Sequence, residues 1–412
     1  MIPVWFTGLG DRIQVRRDTA MNKSSAWNGA ANTALVVVSV VIALLLSELV
    51  VRVMPVGEQF EWQVPEAIPQ RVERYSSISH PGELIMAAFG DSFVEYYRDS
   101  NRNFVNIAAK RMQQLSGKKV RVLNFGVAGT GLGNYRENFS YVASRLKFDI
   151  ALFAVYSGND FLDYWVSILK ERRSAQMKKL EIASKRDLKS HFGIAPSLAW
   201  LKRSVLLNWL WRYVVKYEFG FGKTGFLQSN LQQLSLLFGE NEQTMLDKVA
   251  RLPNGYGKLA EADVINPWLV AWATARPDVM RMNRLGFGSD HEEVQRRITN
   301  ELGRITTLCA RHKVRCVFVF IPPSESVNER YHGFYRDLGY VLDSRVIGES
   351  VYERSAVKFL GGRGIPSLSL WPALAKQKDD IFLEHDLHFN LKGNEMAGLA
   401  LGDWLANIAG KP

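Results

Sequence analysis

Five short runs of the chain are mostly apolar: Leu84–Phe89, Val120–Phe125, Ile150–Tyr156, Val314–Ile321 and Pro366–Leu370. Continuous apolar runs of this length, without alternation, predict strands buried on both faces, as in a parallel sheet. Helical spacing separates them. Phe104, Ile107, Ala108, Met112 and Leu115 predict one apolar helix face, and Val294, Ile298, Leu302, Ile305 and Leu308 another. A last helix, after Asn390, carries Met396, Leu399, Trp404 and Leu405. Strand and helix in alternation predict an α/β fold, a five-stranded parallel sheet with helices on both faces.

Two regions break this pattern. Near the N-terminus, Ser24 to Ser47 carries no charge and its second half is Ala34-Leu35-Val36-Val37-Val38-Ser39-Val40-Val41-Ile42-Ala43-Leu44-Leu45-Leu46. Continued through Val51, it is long enough for a helix across about 30 Å of hydrocarbon. Arg12, Arg16, Arg17 and Lys23 precede it, which places the N-terminus inside and the bulk of the chain outside. The residues after it offer no small-x-small cleavage site, so it reads as an uncleaved anchor. The second region lies between the third and fourth strands, where a simple crossover needs far fewer residues. It is helical in pattern, with a Trp-rich run from Leu198 to Val215 that Lys202, Arg203 and Arg212 interrupt. These charges argue against a second span.

The expected organisation is therefore a cytoplasmic tail (1–29), a transmembrane anchor (30–53), a proline-containing linker (54–82), a body in two parts (83–160 and 291–412), and a basic helical insertion or cap (161–290).

Charge sharpens this reading. The net charge is +11. Between Lys170 and Lys216, Lys and Arg outnumber Asp and Glu by twelve to three. This segment is a candidate surface for anionic lipid or polymer, beside the simpler reading of a cap packing its Trp residues inward. Nucleic acid is not an expected partner, because the chain lacks zinc-finger spacing and any recognisable nucleic-acid module. The two cysteines, Cys309 and Cys316, read as small buried hydrophobes, with a single bridge as the alternative.

The candidate chemistry sits where strands end. Phe89-Gly90-Asp91-Ser92-Phe93 follows the first strand, Asn124-Phe125-Gly126-Val127-Ala128-Gly129 the second, and Ser157-Gly158-Asn159-Asp160 the third. Asp386-Leu387-His388-Phe389-Asn390 lies beyond the fifth. Ligands of open parallel sheets bind outside the carboxyl ends of the strands. Ser92 is the candidate nucleophile, His388 its base, and Asp386 the carboxylate that orients the imidazole. The backbone N–H of Ser92, the N–H of Gly129 and the side-chain amide of Asn159 are candidate oxyanion donors. Asp91 and Asp160 read as turn braces. Glu384, His385, Asp386 and His388 lack an established metal-ligand spacing, so neither metal nor cofactor is expected. His80, His191, His291, His312 and His332 read as scattered surface residues.

These four blocks resemble the SGNH/GDSL hydrolase superfamily, over residues 84–160 and about 291–408. The resemblance implies a three-layer, flavodoxin-like α/β/α sandwich, with Ser92 as nucleophile, Gly129 and Asn159 completing the oxyanion hole, and His388 as base. Many members place the acid three residues before the His. Here that position is His385, and Asp386 stands two before. The shorter spacing is similar to a membrane-anchored bacterial branch related to polysaccharide O-acetyltransferases. The implied activity is that of a serine esterase acting through an acyl-enzyme on an acyl, above all an acetyl, ester of a cell-envelope or exported polysaccharide. The implied location is the inner membrane, with the body periplasmic. Two alternatives share these motifs: an O-acyltransferase with the same triad, and a non-catalytic polysaccharide-binding or assembly module.

Overall fold

The computed structural model describes residues 68–76, 82–98, 100–173 and 225–409, together with the isolated residue 39. The expected tail, all of the expected anchor but residue 39, and most of the basic segment lie outside the described residues. Glu58–Gly193 and Gly220–Pro412 form one compact unit, to which everything below belongs.

Five strands form one sheet: β1 (Leu84–Phe89), β2 (Val120–Asn124), β3 (Ile150–Tyr156), β4 (Arg315–Ile321) and β5 (Ser367–Ser369). Their order is β2-β1-β3-β4-β5, and every neighbouring pair is parallel. β3 is central and buried at all seven positions, which is why its sequence shows no polar alternation. Register carries the side chains to alternate faces. Ala87, Phe89, Ala151, Phe153, Phe318 and Phe320 enter one core, while Met86, Ala88, Leu152, Ala154, Val317 and Val319 enter the other. On the first face, Phe125, just past β2, stacks in a row with Phe89, Phe153 and Phe318 of β1, β3 and β4, with ring centroids 5.5, 5.3 and 5.1 Å apart.

Sixteen helices surround the sheet among the described residues. In chain order they are α1 (Ile68–Ser76), α2 (Ser92–Glu95), α3 (Phe104–Ser116), α4 (Leu132–Ala143), α5 (Leu162–Arg172), α6 (Phe226–Phe238), α7 (Glu242–Ala250) and α8 (Tyr256–Glu261). Then follow α9 (Pro267–Ala275), α10 (Val279–Leu285), α11 (His291–His312), α12 (Ser324–Val327), α13 (His332–Asp337), α14 (Val351–Gly361), α15 (Trp371–Leu374) and α16 (Leu391–Ala409). α4, α5, α11 and α14 cover the phenylalanine face; α3 and α16 cover the other.

The pairing of α3 with α16 matters for the site. Gly398 and Gly402 occupy successive turns of α16. A Cβ at Gly398 would lie 2.6 Å from Ile107 Cβ, and one at Gly402 would lie 2.7 Å from the Ala108 carbonyl oxygen. The two helices thus approach almost backbone to backbone. The Phe104 N–H at the start of α3 donates to Asn394 Oδ1 on α16 at 3.1 Å. α3 follows the Ser92 turn and α16 follows His388, so this docking brings the two loops together.

Several expectations change. Residues 68–76 of the expected linker form α1, with Arg71 and Val72 buried. Leu115 is half exposed, because it lies in the last turn of α3 with nothing over it. His332 is not on the surface: it is fully buried, with Nε2 2.8 Å from the Glu325 carbonyl oxygen. His291 and His312 are half-buried, the first against the Tyr352 hydroxyl at 3.1 Å. Cys309 and Cys316, by contrast, are buried and unbridged, as the main reading of them expected.

The described part of the insertion, α5 and α6 to α10, is continuous with the phenylalanine-side core. Leu227, Leu231, Leu234 and Leu237 of α6 pack with Leu269, Val270 and Ala273 of α9. Trp165 of α5 stacks on Phe287, centroids 4.7 Å apart, and donates from Nε1 to Asp290 at 3.1 Å. Among the described residues no helix is long and apolar enough to cross a membrane.

Candidate active site

The sheet order reverses between β1 and β3, since β2 lies to one side of β1 and β4 to the other side of β3. Such a reversal leaves a crevice at the carboxyl ends of the strands. Ser92 follows β1 and Asn159 follows β3, so both belong to its rim.

Ser92 opens α2. Asp91 caps the helix by accepting the Phe93 N–H at 3.0 Å. Gly90 is required here, because a Cβ would fall 2.3 Å from a Val94 methyl carbon. Burial pushes the Asp91 carboxyl up to about 6, against the opposing pull of His388. Asp91 braces the turn through the Phe93 N–H that it accepts.

His388 arrives on a tight return loop. Phe382 and Phe389 form an antiparallel bridge, and the Leu383 N–H donates to the His388 carbonyl at 2.8 Å. Asn390 closes the loop by accepting the Gly393 N–H at 2.8 Å. His388 Nε2 lies 2.6 Å from Ser92 Oγ, and His388 Nδ1 lies 2.6 Å from Asp386 Oδ1. The imidazole sits between Phe93 and Tyr96, centroids 4.9 and 4.8 Å away. Burial raises the Asp386 carboxyl, but the His388 charge and hydrogen bonds from the His388 ring and the Leu387 and His388 N–H groups outweigh it. The net effect holds Asp386 below the usual carboxylate value. Asp386 thus stays ionised and selects the tautomer with hydrogen on Nδ1, which leaves Nε2 to accept from the serine hydroxyl.

The adjacent His385 takes a different place. It sits at φ +62°, with its ring against Phe334 and Tyr256, centroids 4.8 and 5.5 Å away. Its carbonyl accepts the Asn266 N–H at 3.4 Å. Tyr256 and Asn266 belong to the insertion, so the insertion buttresses the loop that carries His388.

The proposed oxyanion donors lie on three further segments. Among the described residues, neither the Ser92 N–H nor the Gly129 N–H has a protein acceptor. Gly129 adopts φ +71°, which glycine reaches without the Cβ penalty. Asn159 is half-buried, and its Oδ1 is buried without a partner. Asp160 anchors that turn by accepting the Tyr135 hydroxyl at 3.0 Å and the Tyr156 N–H at 3.1 Å. Burial, with nearby Asp91 and Asp163, raises the Asp160 carboxyl well above its ordinary value.

Sequence reasoning missed the residues that tie these segments together. Glu95, one helical turn after Ser92, accepts the Ala128 N–H at 2.6 Å and the Arg71 Nη2 at 2.8 Å. Arg71 also donates to the Gly126 carbonyl. Asn124 donates to the Val94 carbonyl at 2.7 Å and accepts the Gly126 N–H at 3.0 Å. The Ser92 turn and the Gly126–Gly129 loop are thus bolted to each other. Asn283, from α10 of the insertion, donates to the Ser157 and Gly158 carbonyls, each at 2.9 Å, and so fixes the turn before Asn159. The Ser92-to-Glu95 spacing, three residues along a helix, was the one available signal; nothing marked Arg71 or Asn283.

No family model matches the chain, and no curated protein does either.

Proposed function

We propose that this chain is a serine esterase of the SGNH type, with a three-layer α/β/α body held outside the cytoplasm by the N-terminal helix. The observation that carries this reading is the continuous relay from Ser92 Oγ through His388 to Asp386, with both links at 2.6 Å. A serine hydroxyl needs such a base to act as a nucleophile at neutral pH.

In the proposed reaction, Ser92 Oγ attacks the ester carbonyl and its proton passes to His388 Nε2. The oxyanion forms facing the N–H groups of Ser92 and Gly129 and the Asn159 amide. When the tetrahedral species collapses, the C–O bond to the leaving alcohol breaks and His388 returns the proton to that alcohol. Asp386 stabilises the imidazolium while the proton is held. Water then attacks the acyl-Ser92 ester with the same base, releasing a carboxylic acid. If a sugar hydroxyl takes the place of water, the same steps give acyl transfer. The substrate class we propose is an acylated carbohydrate of the cell envelope, with the inner membrane as site and the basic insertion as a contact for anionic lipid or polymer.

Labelling with a fluorophosphonate probe tests the reading. Wild-type protein is expected to label and Ser92→Ala not to. A folded wild-type sample that fails to label would leave a carbohydrate-binding or assembly module as the better description.

A further inference from the structure

A narrow hollow opens beside the relay. Gly158, the neighbour of Asn159, lines one side, and Leu387, between Asp386 and His388, lines another. It encloses about 290 Å³ of space between atoms, its mouth included, and its narrow part admits a body about the size of one water. Most of its wall is apolar, including Trp268 and Met280 from the insertion. Three polar side chains also line it: Tyr156, Asn283 and Glu325.

Each of these three has a buried oxygen with no hydrogen-bond partner: Tyr156 Oη, Asn283 Oδ1 and Glu325 Oε2. A buried polar atom left unpaired is costly, and three around one hollow call for a common partner. Asn283 uses its amide nitrogen on the Ser157 and Gly158 carbonyls, so only its oxygen remains, and that oxygen can only accept. The missing partner must therefore donate. Arg284 is buried close enough for its charge to act on Glu325, so a cation placed in the hollow would meet a guanidinium charge already there. A neutral donor fits better there than an ammonium.

We infer that this hollow is a substrate subsite that takes one hydroxyl group of the reacting molecule, and that it makes the site selective for a hydroxylated acyl group or a polyol acceptor over apolar equivalents. The inference rests on the esterase reading and extends it to substrate choice. A hydroxyl matches the hollow in size and offers one donor to the acceptors that line it. The walls recruited from the insertion then give that segment a role in selectivity.

Two arms distinguish where the hydroxyl comes from. The first compares kcat/KM for 4-nitrophenyl hydroxyacetate and 4-nitrophenyl acetate. The second compares transfer of the acetyl group from 4-nitrophenyl acetate to methyl glucoside and to 1-propanol. In one arm the hydroxylated partner should be favoured by about tenfold or more. Tyr156→Phe removes only the oxygen, and Glu325→Gln keeps the shape; each should bring the ratio toward one. Fluorophosphonate labelling of Ser92 in every variant reports the esterase reading separately. Should Ser92 be unreactive, the rise in Tm with methyl glucoside, larger in wild type than in Tyr156→Phe, reads the hollow by itself. Ratios near one in both arms, or with an unreactive Ser92 a Tm rise equal in the two proteins, would mean that the hollow holds a structural water only, and would overturn the inference.

Discussion

His388 Nε2 lies 2.6 Å from Ser92 Oγ although 296 residues separate them along the chain. The contact depends on α16 docking against α3 through Gly398 and Gly402, and on the ring being held between Phe93 and Tyr96. The Ser92–His388 geometry is thus tied to helix packing beside the sheet.

The Asp386–His388 link predicts the effect of a tautomer error. Asp386→Asn preserves shape but presents either a donor or a neutral acceptor to Nδ1. Esterase turnover should fall on the order of 10⁴-fold, with KM little changed. Steady-state kinetics on 4-nitrophenyl acetate checks this; a loss of under tenfold would show that Asp386 does not orient the base.

Asn159 offers a separable test. Asn159→Ala should lower kcat by about 100–1,000-fold while fluorophosphonate labelling of Ser92 persists at a reduced rate. Equal kcat in the two proteins would remove Asn159 from the oxyanion hole.

Arg71 and Glu95 should affect both stability and rate. Arg71→Met removes the nearer of two cations from the buried Glu95 carboxylate and leaves Arg98 at 3.8 Å, so the cost should approach but not exceed the roughly 3–5 kcal/mol of a buried charge left unpaired. Urea denaturation reads this directly. Glu95→Gln keeps shape and should lower kcat more than it raises KM, because the Ala128 N–H loses its charged acceptor and the Gly129 loop loosens. A change in stability with kcat intact would make the pair structural only.

Glu325 predicts a pH trend in stability. Burial raises its carboxyl from 4.5 to about 7, with Arg284 of α10 pulling the other way. Tyr156 of β3 and Tyr335 of α13 face it uncharged, their hydroxyls pushed up by burial. The folded state keeps a proton that the unfolded chain releases above pH 4.5. This stabilising term is therefore complete below 4.5 and is lost as pH rises toward 7, on the order of 3 kcal/mol in all. Urea titrations at pH 5 and 7 should show wild type losing more stability than Glu325→Gln across that interval. Parallel losses would place the Glu325 carboxyl near its ordinary value.

The basic segment gives a prediction from sequence alone. Neutralising Lys178, Lys179, Lys185 and Arg186 should weaken binding to anionic vesicles, with the difference shrinking as salt rises. Unchanged, salt-independent binding would make the segment an ordinary solvated face.

The sequence determined the sheet, because strands buried on both faces must be apolar throughout, and β1, β3 and β4 read so within a residue of their observed ends. It also marked Ser92, Asp386 and His388, since each belongs to a local motif whose spacing is visible along the chain. Tertiary structure decided the rest. Arg71, Glu95 and Asn283 matter through hydrogen bonds to loops remote in sequence, and a polar residue does not announce which distant carbonyl it will meet. His332 is buried rather than exposed, and α1 packs where a linker was expected, because burial depends on what another element brings to that face. Local periodicity encodes how a segment folds; only the assembled layers fix what it touches.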